Sequence, residues 1–270
     1  MNGTGVMSAT SSETGRGFVD LTAMPGRRVF GAYLKEARYE SVRMLRSPAF
    51  GIPFLSLPVA LYLLFAVLLF GEALRNDPKA ALFVFTGFDV MGVMGPGLFG
   101  FGIVVATERE QGLLTLKRAL PMPPAAYLLA KMAMAMVFGV IVTATMIAAA
   151  LTLGHLPLTV GQCFSIAAIN ILGALPFCAL GLFIGTRVSA KAAPAITNLV
   201  YLAMIYLSGI MFPLPKTMQA TAVIWPAYHL DQLMFRALGA PSQTMIHIAV
   251  LASVTLLLTA LSIRRLARIG

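Results

Sequence analysis

Apolar positions gather in six long runs, near residues 49–71, 82–106, 127–151, 162–185, 194–212 and 244–263, with polar stretches between them. A helix needs roughly 20 mostly apolar residues to cross about 30 Å of hydrocarbon. Backbone polar groups cannot go unpaired in lipid, so runs of this length predict helices, not alternating barrel strands of about 10 residues. The expected fold is an all-α integral membrane protein, a bundle of six transmembrane helices. Residues 1–26, rich in Gly, Ser and Thr, read as a disordered tail, and 27–270 as one membrane domain. The first apolar run begins near Ala49 and is long enough to span; nothing marks it as a signal-peptide core.

Two further segments have an amphipathic pattern. In 27–46, "RRVFGAYLKEARYESVRMLR", Phe30, Tyr33, Leu34, Ala37, Met44 and Leu45 share a helical face with Ser41, and Lys35, Arg43, Arg46, Glu36 and Glu40 fall mostly away from it. That is the pattern of an interfacial helix; a simple basic flank of the first span is the equal alternative. "RSP" at 46–48 should break this helix. Residues 212–241 are half apolar, hold the one tryptophan, Trp225, and are broken by Pro213, Pro215 and Pro226. Too broken to span and too apolar for water, they predict a short re-entrant helical hairpin in the outer leaflet. In the second run five glycines, Gly92 to Gly102, predict close helix packing, as does the Gly181/Gly185 pair in the fourth.

Composition agrees with a membrane protein. The 270 residues are 59% hydrophobic and 11% charged, with a mean hydropathy of +0.86, against about 25% charged in soluble domains. The net charge of +10 is an orientation signal. With six spans, sixteen of the 20 basic residues lie on one side: Arg16 to Arg46, Arg109 to Lys131, Arg187 and Lys191, and Arg264 to Arg268. Only Arg75, Lys79, Lys216 and Arg236 lie on the other. The positive-inside rule makes the first side, with both termini, cytoplasmic. The basic excess then meets anionic lipid headgroups, and a nucleic-acid partner is not expected. Cys163 and Cys178 are fifteen residues, about 22 Å, apart on one helix and cannot bond to each other. No metal-ligand spacing, H-E-x-x-H motif or phosphate loop is present, so ATP hydrolysis through such a loop is excluded and no cofactor is expected. Ser208 with His247 is the one pairing from which a membrane hydrolase could be built.

Two places carry charge where apolar residues are expected. Asp89 lies inside the second run. Either residues 80–89 are still outer loop or a dipping segment, the favoured reading, or Asp89 is a polar contact in a translocation path. The segment 106–124, "ATEREQGLLTLKRALPMPP", places Glu108 and Glu110 at the C-terminal end of the second helix, unfavourably for the helix dipole. These acids call for a compensating partner beyond Arg109. Leu113, Leu116 and Leu120 follow at helical spacing, and Pro121 ends the turn. The segment reads as a short amphipathic helix between two spans, equally an ordinary interfacial loop or a docking element.

"ATEREQGLLTLKRALPMPPAAYLLAK", residues 106–131, resembles the E-R-E-x-G segment of type-2 ATP-binding-cassette (ABC) exporter permeases: Glu108-Arg109-Glu110, Gly112, a leucine-rich stretch, Pro121 and Lys131. The amphipathic segment ending "LRSP" and the apolar loop after "SGIMFPLP" resemble the same family. "FTGFD", 85–89, departs from the F-x-P-G-like start that many members show. The resemblance implies a non-enzymatic half-transporter in a bacterial inner membrane, paired with a second permease subunit and driven by a separate ABC ATPase. Its cytoplasmic coupling helix would comprise Glu108, Arg109, Glu110, Gly112, Leu113 and Leu116. The cargo it implies is a drug, antibiotic, lipid-linked glycan or polysaccharide; separately, the Gly-rich and Met-rich spans mildly favour a hydrophobic or amphipathic solute. The rivals are an ion-coupled secondary transporter, which would need inverted repeats not evident here, the Ser208 hydrolase, and a membrane scaffold that moves no solute.

Overall fold

The computed structural model of the chain describes residues 26–113 and 126–269. The expected tail thus lies almost wholly outside the described residues, as do Leu116, Leu120 and Pro121 of the 106–124 segment. The described residues form helices and no strands. The order is α1 Gly26–Leu45, α2 Pro48–Leu63 with a π-helical extension Leu64–Leu69, α3 Gly71–Asn76, α4 Pro78–Glu110, α5 Ala126–Thr152, α6 Val160–Gly185, α7 Ala193–Leu207, α8 Gln219–Ala222, α9 Pro226–Ala237 and α10 Thr244–Ile269.

Local chemistry sets several ends. Ser47 is extended (φ −83°, ψ 106°) ahead of Pro48, which separates α1 from α2 at the expected "RSP". Asp77 caps α4, accepting from the backbone N–H groups of Lys79 (3.0 Å) and Ala80 (3.1 Å). Thr159 and Gln162 form a reciprocal capping box at the start of α6.

Among the described residues five helical stretches are long and apolar enough to cross a membrane: Pro48–Leu69, Pro78–Glu110, Tyr127–Thr152, Val160–Gly185 and Thr244–Leu266. They match five of the six expected runs. The sixth, expected over 194–212, is the 15-residue α7. At 1.5 Å per residue it measures about 22 Å, short of a hydrocarbon core of about 30 Å.

Helix α4 is the axis of the bundle. Of its most apolar stretch 78% is buried, against 17% for α2 and for α10, which therefore form the outer layer. α5, α6, α7, α2 and α9 all pack on α4. Small residues permit this closeness. A Cβ at Gly181 would stand 2.5 Å from the Leu98 carbonyl oxygen, and one at Gly185 would stand 2.7 Å from that of Phe101. The glycine pair in α6 thus lies directly on the α4 backbone.

Residues 80–89 are neither loop nor dipping segment: α4 is already helical from Pro78, and Asp89 is fully buried. The strong Asp77 cap, with Pro78 in the first turn, starts the helix earlier than hydropathy alone indicates. In α1, Glu40 does not face away from the packed side. It is 1% exposed beside Ser41 and Met44, while Phe30 (70%) and Leu34 (62%) are exposed. α1 lies along α5, and a buried cation there draws Glu40 inward. Between α7 and α10 the chain forms α8 and α9, and α9 is covered by α4, α6, α7 and α10. That cover leaves Leu230, Asp231 and Met234 buried.

Candidate functional site

Where α1, the C-terminal end of α4 and the first turns of α5 meet, five polar side chains converge. Lys131 Nζ of α5 lies 2.6 Å from Glu40 Oε1 and 3.5 Å from Glu108 Oε2. Arg43 of α1 reaches the same two acids, Glu40 Oε1 at 2.8 Å and Glu108 Oε1 at 3.1 Å. The Tyr127 hydroxyl donates to Glu108 Oε2 at 2.5 Å, and the Lys131 ammonium sits 5.1 Å from the Tyr127 ring centroid. Two acids and two bases make the cluster neutral, and each charge has two opposite neighbours. Lys131 is 1% exposed, Glu40 1% and Glu108 4%. Partial burial disfavours the charge of Arg43, but Glu40 and Glu108 outweigh this and hold the guanidinium above its ordinary range.

The compensating charge for Glu108, missing from its own helix end, therefore comes from Arg43 and Lys131 of the same chain. Arg109 turns the other way and donates to the Val188 carbonyl at 2.7 Å, tying the end of α4 to the turn between α6 and α7. Glu110 stands 4.0 Å from Arg109 and has a side chain 45% exposed. Gly112 ends the helix in the left-handed region (φ +71°), with nothing within 4 Å of where a Cβ would be. Leu113 is 36% exposed. The expected coupling residues thus divide. Glu108 and Arg109 are internal ties, Glu110, Gly112 and Leu113 form an outward-facing edge, and Leu116 lies outside the described residues.

Asp89 is in a second polar site, inside the bundle. Asn170 of α6 donates to Asp89 Oδ2 at 2.7 Å, and Thr143 of α5 donates to Oδ1 at 3.3 Å. Asn170 Nδ2 is also 2.7 Å from Thr143 Oγ1. Three central helices are thereby joined through groups with exposures of 0–1%. Sequence reading singled out Asp89 but not Thr143 or Asn170. An amide in the apolar "SIAAINILGA" was the available signal. Asp231 of α9 is buried too, and burial pushes its carboxyl up to about 7.

The hydrolase pairing is not assembled. Ser208 donates to the Met204 carbonyl of its own helix, while His247 Nδ1 lies 2.8 Å from His229 Nδ1. Among the described residues no group of three or more His, Cys, Asp or Glu side chains could hold a metal ion. Cys163 and Cys178 are unbridged.

The described residues thus form a helical membrane bundle with a buried ion cluster at one end, beside an exposed edge at Glu110 to Leu113. Residues 36–237 match the ABC-2 type transporter family model, and the chain belongs to that family. It is also 27% identical over 231 residues, covering 84% of this chain and 94% of the relative, to the Bacillus subtilis (strain 168) protein named "Putative transport permease YvfS". The chain is therefore a transmembrane permease of an ABC transporter, a family whose permeases work with an ABC ATPase.

Proposed function

We propose that this subunit exports a hydrophobic or amphipathic solute, such as a drug, antibiotic or lipid-linked glycan, from the cytoplasm across a bacterial inner membrane. A separate ABC ATPase drives it, and a second permease subunit completes the pathway. The observation that carries the reading is the division of labour at the end of α4. Glu110, Gly112 and Leu113 offer an edge to a partner, while Glu108 is locked to α1 and α5. A push on that edge moves three helices together instead of bending a loop. Alternating access then consists of α1, α4 and α5 shifting as a unit against α6. Asp89, Thr143 and Asn170 hold them together in the present state, and Asp89 meets the translocation path only when they part.

In this reading α7 is the sixth span. Its shortfall in length is made good by the α8–α9 hairpin, which fills the outer leaflet beside it, and both termini are cytoplasmic. The test is co-purification from native membranes in mild detergent. The wild-type chain should bring an ATP-binding subunit with it, and Glu110→Lys with Leu113→Asp should lose that subunit while staying folded. Retention of the ATPase by the double variant refutes the docking edge. Transport that needs no ATPase and collapses with a proton uncoupler would instead establish ion coupling.

A further inference from the structure

At the end of the bundle opposite the ion cluster, a cavity of about 580 Å³ lies between α6, α9 and α10. Its walls are apolar, with Ile169, Leu172, Leu233 and Leu251 among them. Thr255 also lines it, but its hydroxyl donates to the Leu251 carbonyl of its own helix. The remaining polar lining is confined to one end: Ser165, Thr244 and Arg236. Ser165 is satisfied by the Gly161 carbonyl at 2.9 Å. Arg236 is exposed, and its guanidinium has no ion pair or hydrogen bond among the described residues. Among the described residues it is the one charged residue in the lining.

The dimensions are those of one leaflet. On α10 the lining runs from Thr244 to Leu256, and on α6 from Ser165 to Pro176. At 1.5 Å per residue these stretches measure about 18 Å and about 16 Å, against about 15 Å for half of the hydrocarbon core. Leu172 (65% exposed) and Leu256 (71%) flank the opening, so the cavity faces sideways, where lipid lies.

We propose that this cavity binds an anionic phospholipid of the leaflet at that end. One acyl chain lies between α6 and α10, and the phosphate rests on Arg236. Among the described residues no carboxylate lines the cavity to receive a choline or ammonium group, so the site selects against zwitterionic headgroups by charge. The assignment rests on the membrane fold and is independent of which solute the transporter carries.

The test uses the purified full chain in detergent, with dioleoyl phosphatidylglycerol or dioleoyl phosphatidylcholine added, bound lipid being counted by native mass spectrometry. Phosphatidylglycerol should bind more tightly than phosphatidylcholine. Arg236→Gln should lower its affinity about fivefold, the effect of one basic residue at a membrane surface, and Arg236→Lys should retain most of it. Ala252→Trp, at an exposed lining position, should fill the chain's place and weaken both lipids. Leu256→Trp serves if that variant does not fold. Arg264→Gln with Arg265→Gln, at the far end of α10, should leave the Arg236-dependent binding intact. Equal phosphatidylglycerol binding by wild type and Arg236→Gln overturns the site, as does full binding of both lipids by the folded tryptophan variant.

Discussion

Replacing Lys131 by Met tests whether the buried cluster holds α1, α4 and α5 as one unit. The ammonium lies 2.6 Å from Glu40 and 3.5 Å from Glu108. At an effective dielectric of about 20, these separations correspond to about 6 and about 5 kcal/mol of attraction. Desolvation of the ammonium offsets several kcal/mol of that gain. Removal leaves two buried acids facing Arg43 alone, and breaking a buried pair in this way typically costs about 3–5 kcal/mol. Glu40→Gln alone leaves the opposite imbalance and should cost a similar amount. The double variant keeps a neutral Arg43–Glu108 pair, so its cost should fall short of the sum of the two singles by at least about 2 kcal/mol. Equilibrium unfolding of the purified permease in mixed micelles measures all three. Costs that add within about 0.5 kcal/mol would show that the charges act independently, and the transmission of motion from Glu108 to α1 and α5 would lose its basis.

Gly112→Val should cost about 1–2 kcal/mol through its left-handed backbone (φ +71°) and should lower ATPase stimulation in the reconstituted transporter; unchanged stimulation would separate the turn from coupling. Gly181→Val, aimed at the Leu98 carbonyl, should destabilise by about 1–3 kcal/mol, read as a lower unfolding midpoint in detergent. Asp89→Leu leaves the donors of Asn170 and Thr143 without their acceptor and should cost about 1–3 kcal/mol per unsatisfied group, with Asp89→Asn milder by the same assay. The Asp231 carboxyl is raised from 3.8 to about 7. Its contribution to stability is thus complete below about pH 4 and lost as pH rises through about 7, with a slope of at most ~1.4 kcal/mol per pH unit. Asp231→Asn should flatten that slope, and an unaltered pH profile would assign it to other groups.

Much of this protein was legible from pattern alone. Five spans appear within a few residues of their apolar runs because lipid forces the backbone of any such run to satisfy itself as helix. The break at Ser47–Pro48 and the packing role of Gly181 and Gly185 follow from backbone sterics, which are local. The resemblance carried by Glu108-Arg109-Glu110 and Gly112 led to the family because it is a contiguous motif. What the sequence alone left open is pairing between distant positions. Glu40 looked like a solvated charge and Glu108 like an acid awaiting an outside partner. Only the approach of α1 and α5 to the end of α4 puts Lys131 between them. Asp89 looked closer to water than it is, because hydropathy does not register a helix cap at Asp77, and its partners lie 54 and 81 residues away on other helices. Charge in a low-dielectric interior is decided by what stands within a few ångströms, and in a helical bundle those neighbours come from other helices, remote in the chain.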